Sequence, residues 1–241
     1  MLPLFLDIET IPGQSDEARE IARAETRPPG NLKKEESIAA WWEEHGQAAV
    51  EENWRKQALD PALGEVCAIG FALDEGPAHS LVRECKETEG DFLRRALWAI
   101  KWRIEAVIAN NEDPRRGPWD AISIKPVAHN AAFDFGFLRA RCWANRIRPP
   151  YWLPRADGRH GRDYDDTMLH FVGYGGRVSL SRLARCLGVP DPKAEFDGSA
   201  VCDLWRNGEH EKLAAYNAAD VETCRAIWGI VCASSDCEVI G

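Results

Sequence analysis

The stretch that most constrains this chain is Leu4-Phe5-Leu6-Asp7-Ile8-Glu9-Thr10, almost at the N-terminus. The apolar run from Leu2 to Leu6 is too short for a helix and reads as a buried β-strand, with Pro3 near its start. Side chains alternate along a strand, so Asp7 and Glu9 point to one face. Two neighbouring carboxylates on a mostly buried strand repel each other, and burying either one alone is costly. A divalent cation between them removes both problems, because hard oxygens suit Mg²⁺ or Mn²⁺. The alternative is a strand that simply runs out into solvent at Asp7.

Further along, Ile11-Pro12-Gly13 makes a turn and a charged segment follows as far as Pro61. Within it, residues 35–58 have helical composition, with Ile38, Trp41, Trp42, Ala49 and Trp54 as candidate buried positions. The segment reads as an insertion over 14–60 whose Trp residues serve packing rather than base stacking. Residues 65–73 (EVCAIGFAL) and 79–83 form the next two strands, and such short spacing favours antiparallel hairpins. Apolar residues at 92, 93, 97, 100, 104, 107 and 108 have helical spacing. A fourth strand covers 122–128, weakened by Pro126, and a helix over 133–145 follows. A short helix spans 179–187, capped by Ser179 and stopped by Gly188, and a last helix covers 209–231. The expected fold class is α/β: a mixed sheet, its first three strands antiparallel, flanked by helices in one domain over 1–241. Residues 234–241 form a C-terminal tail.

The last helix carries a stripe of Leu213, Tyr216, Asp220, Cys224, Ile227 and Val231 at i, i+3 and i+4 spacing. Asp220 thus lies on a core-facing stripe, one turn beyond Tyr216, where a carboxylate needs a cation or several donors. Otherwise it sits at the stripe's edge and reaches water. A third acidic position, Asp134 in His129-Asn130-Ala131-Ala132-Phe133-Asp134, leaves a strand and enters a helix. Asp134 serves there either as an ordinary first-turn acid or as part of a site at the strand ends.

Taken together, LDIET, HNAAFD and YNAAD, in that order, resemble the three motifs of the DEDD 3′–5′ exonucleases. Tyr216 four residues before Asp220 resembles the subgroup with Tyr in the last motif, DEDDy. Residues 58–61 leading into 65–70, and 179–187 ahead of Asp197-Gly198, resemble predicted exonucleases related to the proofreading domain of family B DNA polymerases. The resemblance implies a ribonuclease H-like fold and two divalent cations, Mg²⁺ or Mn²⁺. It implies that Asp7, Glu9 and Asp220 hold one cation, with Asp7 and Asp134 serving the second. Tyr216 would orient the attacking water; a free phenol pKa of ~10 makes it a poor base. Thr10 and Ile11 would touch the terminal sugar and base, and Asn130 a substrate phosphate or only the turn. Asp166 is a rival carboxylate or a helix cap, and His129 and His170 read as structural.

The implied activity is hydrolysis at single-stranded DNA 3′ ends, releasing 5′-mononucleotides, with a polymerase as a partner only in trans. An exoribonuclease, a non-catalytic nucleic-acid-binding module and a structure-selective endonuclease are the rivals. A net charge of −9 argues against a general nucleic-acid coat but not against an enzyme with a local basic patch. Seven Arg between 139 and 162 accompany one acid, Asp157, and form either a solvated face or a phosphate-binding rim. Eight Cys without a CxxC pair argue against zinc and for buried thiols in a reducing cytosol. The absence of a leader and of any apolar run approaching about 18 residues points to a soluble, cytoplasmic protein, away from membranes.

Overall fold

A computed structural model describes residues 1–110, 123–190 and 198–232. The sequence expectations for Ile122, Asp197 and the tail 234–241 lie outside the described residues. By internal contacts the chain divides into two compact units, Met1–Glu9 with Val66–Gly241, and Thr10–Glu65.

In chain order the larger elements are β1 (Leu2–Ile11), α1 (Asp16–Glu25), α2 (Glu35–Lys56), β2 (Glu65–Leu73), β3 (His79–Val82) and α3 (Glu89–Asn110). They continue with β4 (Ile124–Ala128), α4 (Ala131–Ala144), β5 (Asp165–Asp166), α5 (Thr167–Val172), α6 (Leu180–Leu187), α7 (Val201–Arg206) and α8 (His210–Val231). The sheet order is β3-β2-β1-β4-β5. β2 and β3 are antiparallel, while β4 runs parallel to both β1 and β5. Asp74, just past the end of β2, donates to the carbonyl of Pro3 at the start of β1, so these two strands also run in opposite directions. The antiparallel start is therefore present, and β5 is a short parallel edge that no apolar pattern announces.

Alternation along β1 builds the two layers. Leu2, Leu4, Leu6 and Ile8 pack with Phe92, Leu93, Ile100 and Ile104 of α3 and with Phe135 and Leu138 of α4. Burying each such side chain contributes roughly 1.5–3 kcal/mol. Phe5 points the other way, with Val127 of β4, toward Leu183 and Ala184 of α6 and Val221, Cys224 and Ile227 of α8. Phe5 also meets Trp228 edge-on at 5.5 Å. Asp7 and Glu9 share the parity of Phe5, so they face the α8 side of the sheet. Ser179 caps α6 by accepting from the backbone of Arg182, and Gly188 closes that helix in the left-handed region. Cys67, Cys142, Cys202 and Cys224 are buried thiols, whereas Cys85 and Cys186 are exposed.

In the unit Thr10–Glu65, α1 and α2 pack around Trp54, whose indole N–H donates to the carbonyl of Gly13. The Arg19 guanidinium lies 3.7 Å over the Trp54 ring and pairs with Glu51. Of the five apolar positions expected to be buried in this segment, only Trp54 is fully so; Trp42 instead lies against Gly46, one turn further along α2. Among the described residues no helix is long and apolar enough to cross a membrane.

Candidate functional site

The C-terminal part of β1, the turn from β4 into α4 and the N-terminal half of α8 converge on a cleft of about 480 Å³. Asp7, Glu9, Asp134, Tyr216 and Asp220 all line it. One carboxylate oxygen from each of Asp7, Glu9 and Asp220 lies within 4.8 Å of the others. The reason is periodicity: β1 offers its acids two residues apart on one face, and α8 turns its buried stripe, including Asp220, toward that face. Tyr216 is half-buried one turn before Asp220.

Asp134 enters from the first turn of α4 and is buried; its carboxylate accepts the backbone N–H of Ile8 at 3.3 Å. Burial, and then the charge of Asp7, push its acid well above the ordinary carboxylate range. That is the mark of negative charge crowded into a poorly solvated place. Three carboxylates within reach of one centre, beside a fourth that resists ionisation, make an all-oxygen donor set suited to a hard divalent cation.

Other residues singled out from sequence are placed as follows. Asn130 lines the cleft in left-handed conformation, which Asn tolerates, and its backbone N–H donates to Asp166. Asp166 is a cap rather than a ligand: its buried carboxylate accepts backbone N–H groups of Asn130, Ala131, Met168 and Leu169. His129 bridges Thr167 and the carbonyl of Val178, both at 2.9 Å, which requires its Nε2 to carry the proton toward the carbonyl. The Thr10 hydroxyl donates to the carbonyl of Ala58 at 2.7 Å, and Ile11 is fully buried.

Four of the seven arginines in the run are engaged in pairs. Arg139 donates to the carbonyl of Pro154, half-buried Arg141 pairs with the buried Glu89, Arg155 with Asp157 and Arg162 with Asp163. None of the seven lines the cleft; among the described residues its guanidinium groups are instead those of Arg177 and Arg182, both exposed, at the entry to α6. Asn217, the residue after Tyr216, is buried and donates to Asp7 at 2.6 Å.

A second group, His160, Asp165 and His170, also brings possible ligand atoms together. There the Lys125 ammonium lies 3.3 Å from Asp165, the Trp228 N–H donates to the same carboxylate, and His160 Nδ1 accepts the backbone N–H of Asp166. A lysine already supplies the counter-charge, so this cluster reads as an ion-paired network.

Residues 118–231 match a family model described as a predicted 3′–5′ exonuclease related to the exonuclease domain of PolB. No curated protein matches the chain. Among solved structures, the family B DNA polymerase from the hyperthermophilic archaeon Pyrobaculum calidifontis is similar, with a TM-score of 0.52 and 15% identity. That likeness covers 95% of this chain and only 24% of the polymerase chain, and it shows a shared ribonuclease H-like fold. Asp134, Tyr216 and Asp220 all fall inside the segment that is similar to these predicted 3′–5′ exonucleases, which are hydrolases.

Proposed function

We propose that this chain is a metal-dependent 3′–5′ exonuclease of the DEDDy type that releases 5′-mononucleotides from single-stranded DNA ends by a two-metal hydrolysis. The observation that carries the reading is the meeting of Asp7, Glu9 and Asp220 within 4.8 Å in a cleft that Asp134 and Tyr216 also line.

Divalent cations held there, Mg²⁺ or Mn²⁺, supply Lewis-acid stabilisation of the transition-state charge and a more acidic water. Asp7, Glu9, Asp134 and Asp220 are the residues that would hold these cations. The hydroxyl of Tyr216 orients the attacking water by a hydrogen bond. Arg177 and Arg182 meet the phosphates of the strand, and Asn130 offers its amide beside them. A polymerase acting in trans is the protein partner this reading allows. Exposed free thiols at Cys85 and Cys186 suit a reducing compartment, and we place the enzyme in the cytoplasm.

The decisive experiment is digestion of 5′-labelled and 3′-labelled DNA and RNA oligomers with Mg²⁺, Mn²⁺ or EDTA. Shortening from the 3′ end, faster on single-stranded DNA and abolished by EDTA, is the expected result. Undiminished cleavage in excess chelator overturns the metal reading, internal fragments overturn the exonuclease reading, and faster trimming of RNA reassigns the substrate.

A further inference from the structure

Asp7 is held by a neutral donor, and that donor is itself held. The side-chain amide of Asn217 donates through Nδ2 to Asp7 Oδ2 at 2.6 Å. The Ser80 hydroxyl donates to the other end of the same amide, Asn217 Oδ1, at 2.7 Å. Ser80 on β3 is the register partner of Gly70 on β2. A Cβ on Gly70 would lie 2.6 Å from Asn217 Oδ1 and 2.8 Å from a methyl of Val221, so glycine is what lets the amide rest there. Three elements, β2, β3 and α8, therefore fix one amide beside one carboxylate of β1.

We propose that Asn217 is a positioning residue for the metal centre: it holds the Asp7 carboxylate in ligating orientation, with Ser80 anchoring the other end of the amide. The inference rests on the reading of Asp7 as a metal ligand. The chemistry favours an amide at this place over any cation. A carboxylate has two oxygens and about four lone-pair sites, so one N–H bond leaves ample capacity for a metal. An amide orients without cancelling charge, whereas an ammonium would compete with the metal for it. The same protein shows the contrast, since Asp165 is held by the Lys125 ammonium. Asp7 decides the amide's orientation, because a flipped Asn217 would turn its carbonyl oxygen toward an acceptor-only carboxylate; Ser80, whose hydroxyl donates to Oδ1, anchors the far end of the amide.

The test titrates metal-free wild type, Asn217→Ala, Ser80→Ala and the double variant with Mn²⁺ alone, by calorimetry. Melting temperature and kcat at saturating Mn²⁺ are recorded beside it. Loss of a partner that orients a ligand costs ~10–100-fold in metal affinity. Asn217→Ala should weaken Mn²⁺ binding by that factor, and Ser80→Ala by less. The double variant should bind no more weakly than Asn217→Ala, because Ser80 acts only through Asn217. A purely structural role would lower the melting temperature and leave affinity unchanged. Folded Asn217→Ala with wild-type Mn²⁺ affinity overturns the proposal. Should Asn217→Ala fail to fold, wild-type affinity in Ser80→Ala overturns it instead. A wild type that cleaves and binds Mn²⁺ while its variants match it removes this inference alone; a wild type that does neither removes the metal-site reading as well.

Discussion

The carboxylate of Asp134 accepts the backbone N–H of Ile8, the residue between Asp7 and Glu9. The first turn of α4 is thereby tied to the strand that carries Asp7 and Glu9. Because burial and the charge of Asp7 raise the Asp134 acid, the fold prefers it protonated. In the unfolded chain it ionises near the usual ~3.9. Between that value and the raised folded one, the native state binds more protons, so stability falls as pH rises. Metal-free protein should therefore melt at progressively lower temperature from about pH 4.5 upward. Asp134→Asn, whose amide oxygen can still accept from Ile8, should melt higher than wild type, by a margin that grows with pH. Melting scans in EDTA across this range test it, and parallel curves would place the crowding elsewhere.

Asp7→Asn and Asp220→Asn should each abolish cleavage while leaving metal-free stability unchanged or higher, since repulsion among the acids is relieved. Added Mn²⁺ should raise their melting temperatures less than that of wild type. An Asp220→Asn protein that melts well below wild type without metal would make Asp220 a structural partner instead.

Tyr216→Phe separates the phenol from the carboxylates. The ring that lines the cleft remains, so stability and Mn²⁺ affinity should stay near wild type. The rate at saturating metal should drop ~10²–10⁴-fold, the usual loss for one positioned proton-handling group. Wild-type turnover would leave Tyr216 only a packing role.

Arg177→Ala and Arg182→Ala should raise KM for oligonucleotides more than they lower kcat. Each should also make the log–log dependence of binding on salt shallower, by ~0.7 for every phosphate that is no longer neutralised. Arg155→Ala, which breaks only an exposed pair with Asp157, should do neither. Fluorescence anisotropy against salt concentration distinguishes them.

Asp166→Ala removes an acceptor shared by four backbone N–H groups at the starts of α4 and α5. Bonds to a charged acceptor contribute about 1.5–3 kcal/mol each in favourable cases. A loss of at least ~2 kcal/mol in urea unfolding is expected. A stability near wild type, together with a large loss of Mn²⁺ affinity, would make Asp166 a ligand after all.

Much of this was legible in the sequence because local chemistry agreed with the final fold. The EVCAIGFAL run is β2 over the same residues, and Ser179 and Gly188 cap α6 as their types require. The edge strand Asp165–Asp166 was not legible, because two acidic residues carry no apolar period and become a strand only by pairing with β4. Charge density misled in a different way. Arg139, Arg141, Arg155 and Arg162 each find an acid or a carbonyl; Glu89, which holds Arg141, is 52 residues away, and Asp163, which holds Arg162, falls one residue past the run. Arg177 and Arg182 stand out in no window of sequence; the loop before α6 brings them to the cleft. Asn217 was hidden because its partners, Ser80 and Asp7, are 137 and 210 residues away.

That last separation governs when the centre can exist during synthesis. Asp7 leaves the ribosome 210 residues ahead of Asn217. At ~5–20 residues per second the interval is roughly 10–40 s. Throughout it, β1 holds two acids with no α8 to receive them, and the strand remains a nascent surface without cutting power. Bringing together groups this distant is a late and entropically costly event in folding. On the proposed reading, a polypeptide stalled before Asn217 carries the first motif without the helix that completes the metal centre.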